Sequence, residues 1–128
     1  MIERSDVATA ALKTLAVVRL VNGALALLAP AVLVKRTSRD PVTTEPFYAF
    51  RMFGVRTVLL GADLLLQKGA QLDRARTEAL IIHGSDTICA VIGGLRGDLP
   101  PRAAKLVTAI SATNTLLAVT AYAFAKRS

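Results

Sequence analysis

Residues 106–125 constrain this chain most, because none of these 20 residues is Asp, Glu, Lys, Arg or His. A helix of that length is about 30 Å long, which matches the hydrocarbon core of a bilayer. A soluble four-helix domain, the competing fold, presents one charged or polar face of each helix to water. The uncharged run therefore predicts a membrane-spanning helix.

Three more apolar segments precede this run, and together they predict long helices over about residues 7–34, 47–67, 78–95 and 103–125. Polar stretches at residues 35–46, 68–77 and 96–102 separate them. Pro30 lies inside the first segment and is expected to kink or end its helix, because proline has no amide hydrogen to donate. The prediction is an all-α protein, an integral membrane four-helix bundle that forms one domain over residues 1–128.

The composition excludes several classes of protein. Apolar residues make up 53% of the chain, which is too many for a disordered protein. Cys89 is the single cysteine, so an internal disulfide and a cysteine-based zinc site are excluded. The net charge is +7, but the basic residues fall in small clusters between apolar segments. That scatter is typical of membrane proteins, so we expect lipids as partners and no nucleic acid.

The second and third segments are the least certain spans, because they carry ionisable residues. In the second segment about ten strongly apolar residues favour insertion by roughly 0.5 kcal/mol each, while Arg56 and Asp63 oppose it by roughly 3 kcal/mol each. The sum is near zero. These two segments are therefore expected to insert as a hairpin in which their charges are paired.

Aromatic and small residues also favour the membrane. The six aromatic residues all lie near predicted helix ends, as in an interfacial aromatic belt. They are Phe47, Tyr48, Phe50, Phe53, Tyr122 and Phe124. Small residues four positions apart allow helices to approach closely in lipid. They occur as Ala90 with Gly94, Gly93 with Gly97, and Ser111 with Thr115.

The orientation of the chain stays open. Four crossings place both termini on one face, and the basic residues at the helix ends then divide into seven on each face. The positive-inside rule therefore gives no preference, and insertion in both orientations as antiparallel dimers is compatible with the sequence.

Polar residues inside the predicted helices form the candidate site. They are Arg19, Arg56, Asp63, His83, Asp86 and Asn114. Counted from the face that carries the termini, Arg19, Arg56, Asp86 and Asn114 fall at one depth, while Asp63 and His83 are shallower. We expect an Arg56–Asp86 ion pair and an Asp63–His83 contact.

Two interpretations of this polar layer stay open. It is either a structural network that fixes the register of the helices, or a polar cavity that binds a ligand or passes a proton. The order His83, Ser85, Asp86 cannot form a relayed nucleophile and base, because the three lie within one turn of a single helix. With one histidine and no metal-binding motif, no catalytic residue, metal or other cofactor is expected.

The pattern Arg51-x2-Gly54-Val55-Arg56-x4-Gly61, with Arg19-x3-Gly23 and an Ala-Pro at the end of the first helix, resembles small membrane proteins of actinobacteria. These belong to DoxX-like families and to families of uncharacterised domains. The resemblance implies four transmembrane helices in the plasma membrane, and no catalytic residue is carried over from it.

From these patterns we expect a noncatalytic, multi-pass protein of a bacterial plasma membrane. It would be an accessory or structural subunit of a membrane complex, or a homo-oligomer. The alternative is a small transporter or a binder of lipophilic ligands that uses the Arg/Asp/His layer.

Overall fold

The computed structural model of the chain describes residues 3–37 and 46–125, and every regular element in these ranges is an α-helix. In chain order the helices are α1 (Arg4–Leu28), α2 (Pro30–Thr37), α3 (Phe47–Leu66), α4 (Gly69–Arg96) and α5 (Pro101–Ala123). The predicted all-α class is confirmed. Most of the predicted connection at residues 35–46 lies outside the described residues, as do three of the basic residues counted above, Arg39, Lys126 and Arg127.

The first predicted helix ends at Leu28 and is followed by a short separate helix. The Ala29 amide closes the last turn of α1 by donating to the carbonyl oxygen of Leu25 over 2.8 Å. Pro30 has no amide hydrogen with which to continue that ladder, so the chain turns there and restarts as α2. The expectation that Pro30 ends or kinks the first helix is therefore confirmed.

Helix α4 begins at Gly69, nine residues before the predicted start at residue 78. The charged stretch that was predicted as a connection is helical, because its apolar side chains Leu72 and Ala75 pack against the hydrophobic core. Its charged residues pair along the helix, with Arg74 to Glu78 at 3.0 Å and Arg76 to Asp73 at 2.9 Å. Only Gln67 and Lys68 therefore connect α3 to α4.

Helix α1 holds the bundle together. It packs along α3 and contacts α5, and α5 in turn packs along α4. Helices α3 and α4 contact each other over a small part of their length, whereas α1 and α4 make no direct backbone approach. The four long helices therefore form a square in the order α1, α3, α4, α5, with α1 and α4 on one diagonal.

Glycines bring α1 and α3 into backbone contact. A Cβ atom on Gly54 would lie 2.6 Å from the Gly23 carbonyl oxygen and 2.6 Å from the Leu27 amide nitrogen. A Cβ atom on Gly61 would lie 3.0 Å from the Ala16 carbonyl oxygen. Such close approach of small residues is how helices associate in lipid, where no hydrophobic effect drives them together.

Some of the predicted small-residue pairs lie at the contact between α4 and α5. Gly94 faces Ala104 of α5, where an added Cβ would lie 3.0 Å from the Ala104 side chain. Gly97 is not at a helix contact, because it ends α4 in a left-handed conformation with φ of 75°. At that position glycine is favoured by backbone conformation.

The outside of the bundle is apolar. Large hydrophobic side chains are exposed on all four long helices, including Leu59, Ile88 and Leu116. By length and composition α1, α4 and α5 are able to cross a membrane. Helix α3 falls short because Arg51, Arg56 and Asp63 place three charges within its 20 residues.

The contact between α1 and α3 predicts a contrast between two glycine substitutions. Gly54→Ala should lower the free energy of unfolding by about 1–3 kcal/mol, because the new methyl group meets backbone atoms that cannot move aside. Gly84→Ala in α4 is the matched control, since nothing lies within 4 Å of its Cβ position. Unfolding of both variants in detergent micelles checks this, and equal losses would contradict the assigned contact.

Candidate functional site

A hydrogen bond between two buried side chains joins α1 to α4. Nε of Arg19 donates to Nε2 of His83 over 2.8 Å. Arg19 is 2% exposed and His83 is 6% exposed, so both side chains have left the solvent. Because the two helices lie on a diagonal of the square, the long arginine side chain crosses the interior to reach the histidine.

The sequence brings these two residues to the same height in the bundle. Arg19 lies 15 residues after the start of α1 at Arg4, and His83 lies 14 residues after the start of α4 at Gly69. At about 1.5 Å per residue both are a little over 20 Å from the same end. Each lies one helical turn beyond a residue of the hydrophobic core, Leu15 on α1 and Ala79 on α4.

A glycine on α3 makes room for the arginine. A Cβ atom on Gly61 would lie 3.2 Å from Cβ of Arg19, closer than ordinary van der Waals contact. Any larger residue at this position would press on the base of the arginine side chain. The same close approach that packs α3 against α1 therefore also sets the position from which the guanidinium extends.

The hydrogen bond fixes the state of the histidine ring. Nε2 of His83 accepts from Arg19, so it carries no proton, and the neutral ring holds its hydrogen on Nδ1. The hydrogen-bond donors of the Arg19 guanidinium are only partly used. Its Nη2 atom is buried and has no hydrogen-bond partner within residues 3–37 and 46–125. The site therefore offers a buried, charged donor that a carbonyl, carboxylate, phosphate or water oxygen can satisfy.

Asp86 belongs to the same group. It lies one turn beyond His83 on α4, and its charge interacts with that of Arg19. The aspartate side chain is nevertheless exposed. Of the six predicted site residues, the structure thus gathers Arg19, His83 and Asp86 into one group that runs from the interior to the surface.

The expected Arg56–Asp86 ion pair is wrong. In the described parts of the chain the two ion pairs are Arg74–Glu78 and Arg76–Asp73, both within α4. Arg56 is exposed on α3. The pair was predicted from the depths of its members, and α4 begins nine residues earlier than that count assumed. Helices α3 and α4 also touch over too little of their length to bury such a pair.

The expected Asp63–His83 contact is also wrong, because His83 bonds to Arg19 instead. Asp63 is half-buried near the end of α3 and faces the first turns of α4. There it lines a polar pocket together with Gln67, Gln71 and Glu78. This pocket lies at the end of the bundle, separate from the Arg19–His83 bond.

Asn114 is buried on α5, as is Ser111 one turn earlier. Next to Asn114, the hydroxyl of Thr115 shares a hydrogen bond of 2.9 Å with the hydroxyl of Thr87 on α4. The sequence reasoning missed this link between α4 and α5. Its signal was present, because Thr87 lies one turn beyond His83 and so falls on the same side of α4.

The described residues contain no cluster of three or more His, Cys, Asp or Glu side chains that could hold a metal ion. The polar groups that do come together are one guanidinium, one neutral imidazole and one carboxylate. Their chemistry is that of hydrogen bonding to an anionic or carbonyl oxygen, with the imidazole as the group that can take up a proton.

The Arg19–His83 bond predicts strong coupling between two substitutions. His83→Leu leaves the guanidinium buried without its acceptor and should cost about 3–5 kcal/mol of folding free energy. Arg19→Met combined with His83→Leu should cost much less than the sum of the single changes, because no charge then stays buried. His83→Gln should recover part of the loss through its amide oxygen. A double-mutant cycle from unfolding in micelles measures this, and simple additivity would refute the coupling.

Comparison of the chain with protein-family models, with curated proteins and with solved structures finds no match. The resemblance to DoxX-like membrane proteins therefore stays a prediction. What the chain does has to be argued from its helices and its charges alone.

Proposed function

We propose that the chain is a multi-pass protein of a bacterial plasma membrane, that it crosses the bilayer four times, and that it acts without catalysis as a subunit of a membrane assembly. The assembly is either a homo-oligomer or a complex in which this chain is an accessory subunit. The observation that carries the proposal is the exposure of two charged side chains, Arg56 and Asp86, in the middle of long helices.

The fourth crossing rests on the packing of α3. Gly54 faces Leu27 near the end of α1, and Gly61 faces Ala16 near its middle, so the two helices run antiparallel side by side. Helix α1 is apolar enough to cross a bilayer, and a helix packed along it at the same depth has to cross as well. The packing of α3 against α1 then offsets the free-energy cost of placing its three charged residues in the membrane.

The subunit role rests on the depth and the exposure of two of the charged side chains. Arg56 lies nine residues from the start of α3 and ten from its end, and Asp86 lies ten residues before the end of α4. A charged side chain at such a depth is costly in lipid and is normally paired or turned toward the protein interior. In one copy of this chain both are exposed and carry opposite charges, so a neighbouring protein with a complementary charge would stabilise each of them.

The absence of catalysis in this proposal is supported by how little of the described chain lies outside helices. Two residues connect α3 to α4, and residues 97–100 connect α4 to α5. Connections of this size leave no soluble lobe to carry an active site. A role in assembly needs only exposed helix surfaces, and the two helices that carry these charges also expose large apolar side chains.

A charge exchange tests the proposed contact. Arg56→Asp alone and Asp86→Arg alone should each weaken assembly about tenfold or more, because each places like charges against each other. If copies of this chain pair through these residues, the double variant Arg56→Asp with Asp86→Arg should restore assembly. Native mass spectrometry of protein extracted from its own membranes in mild detergent reports the bound chains.

Arg51→Leu is the matched control. Arg51 is an exposed arginine on the same helix, but it lies near the helix start with its guanidinium over the ring of Phe47, at 5.7 Å from the ring centre. Its loss should leave assembly unchanged. Failure of the double exchange to restore an assembly that the single changes break identifies a different protein as the partner. Extraction of the wild-type chain as a free monomer refutes the subunit role.

Labelling of engineered cysteines tests the number of crossings. In a Cys89→Ser background, Ser5→Cys at the start of α1 and Gln71→Cys at the start of α4 should react with an impermeant maleimide from the same face of sealed vesicles. Four crossings require this, because α1 and α3 both separate the two positions. If α3 lay outside the bilayer, the two cysteines would react from opposite faces.

A second candidate function is binding or transport of a small lipophilic anion within the bundle. The observation that favours it is the buried Nη2 of Arg19, which has no partner among the described residues. Two results together would support this function over the subunit role. The extracted chain would stay monomeric, and on denaturation it would release a bound small acid that the Arg19→Met variant does not carry.

A further inference from the structure

A basic pocket lies where α2 ends and α5 begins. Its lining residues are Arg36 on α2 and Arg102, Lys105 and Leu106 on α5. All three cations are exposed. Both ion pairs found within the described ranges lie elsewhere, on α4, so none of these three cations is ion-paired with a described carboxylate. Three positive charges therefore converge on a concave surface that a negative group can enter.

The pocket lies at the depth of lipid headgroups if the bundle is inserted. Lys105 directly precedes the uncharged run at residues 106–125, so the pocket marks the boundary between charged and apolar sequence. On the other side, α2 ends with Lys35 and Arg36 exposed in its last turn. Clusters of basic residues at this boundary attract anionic lipids.

The placement of the cations on α5 argues for a bound anion. The amide groups at the start of a helix are unpaired and give that end a partial positive charge. Helix α5 starts at Pro101 and has no acidic residue in its first turn, yet Arg102 lies in that turn and Lys105 directly follows it. Positive side chains at a helix start are unfavourable on their own. A negative group in the pocket would be attracted to both side chains and to the helix end.

We infer that this pocket binds the phosphate group of an anionic phospholipid. Arg36 and Arg102 supply guanidinium groups, which match phosphate oxygens in geometry, and Lys105 adds a third charge. Leu106 lies beside the cations, at the start of the apolar surface. A ligand with a charged head and an apolar tail contacts both parts of this site, whereas free phosphate contacts only the first. The inference requires membrane insertion, but it does not depend on the subunit role.

Lipid titration tests the site. The purified chain, in a detergent with an uncharged headgroup, is titrated with phosphatidylglycerol or with phosphatidylcholine of the same acyl chains, and bound copies are counted by native mass spectrometry. One phosphatidylglycerol should bind about tenfold or more tightly than phosphatidylcholine. Arg102→Gln and Lys105→Gln should each weaken that binding about fivefold, and together about 25-fold.

Arg96→Gln is the matched control, because it removes one cation from the last turn of α4 at the same end of the bundle but outside the pocket. It should change binding less than about twofold. Equal losses from Arg96→Gln and Arg102→Gln would overturn the site, since the charges would then act only as a diffuse surface. Equal affinity for both lipids would overturn it too. Displacement of the lipid by inorganic phosphate at similar concentrations would assign the pocket to free phosphate instead.

Discussion

A guanidinium buried in an apolar bundle needs hydrogen-bond acceptors within the protein. The way in which Arg19 obtains one constrains how the helices of this structure are arranged. Arg19 reaches His83 across a diagonal along which the two helices do not touch. Arginine suits this task because its charge is retained in apolar surroundings and its side chain is long. Since α3 packs on α1 and α5 packs on α4, this bond adds a fixed point between the two helix pairs, beside the direct contact of α1 with α5 and the two-residue connection from α3 to α4.

The two halves of the bundle are held in different ways, and both ways suit a lipid environment. Between α1 and α3 the contact is made by glycines and backbone, with Gly23, Gly54 and Gly61 leaving no space for larger side chains. Between α4 and α5 a threonine pair adds a hydrogen bond, Thr87 to Thr115, beside the approach of Gly94 to Ala104. Neither contact depends on removing apolar surface from water. Large apolar side chains are instead left exposed on the outside of the bundle, a surface that suits a lipid environment.

The sequence predicts the positions of the helices better than it predicts which polar side chains pair between them. The apolar segments placed the ends of α3 and α5 within two residues, and Pro30 marked the end of α1. The charged residues at positions 69–77 wrongly predicted a connection. This stretch is helical because Leu72 and Ala75 pack against the hydrophobic core, and composition does not reveal that packing. That single error moved His83 and Asp86 to the wrong depths and so produced the wrong pairs. With α4 started at Gly69, the count places Arg19 and His83 level with each other.

The polar residues fall into three groups, and each group needs a different kind of hydrogen-bond or charge partner. The interior pair meets part of its own demand, because neutral His83 accepts from Nε of Arg19, while Nη2 of Arg19 has no partner among the described residues. Arg56 and Asp86 are exposed on α3 and α4, and neither forms an ion pair within the described part of the chain. Arg36, Arg102 and Lys105 lie at the end of the bundle, where only a group from outside these helices can balance them. The net charge of +7 reflects this division. Deep within the helices Arg19 and Arg56 are matched in number by Asp63 and Asp86, and many of the other basic residues lie at or beyond helix ends. Under the proposed membrane insertion, lipid headgroups would supply the counter-charge to that excess.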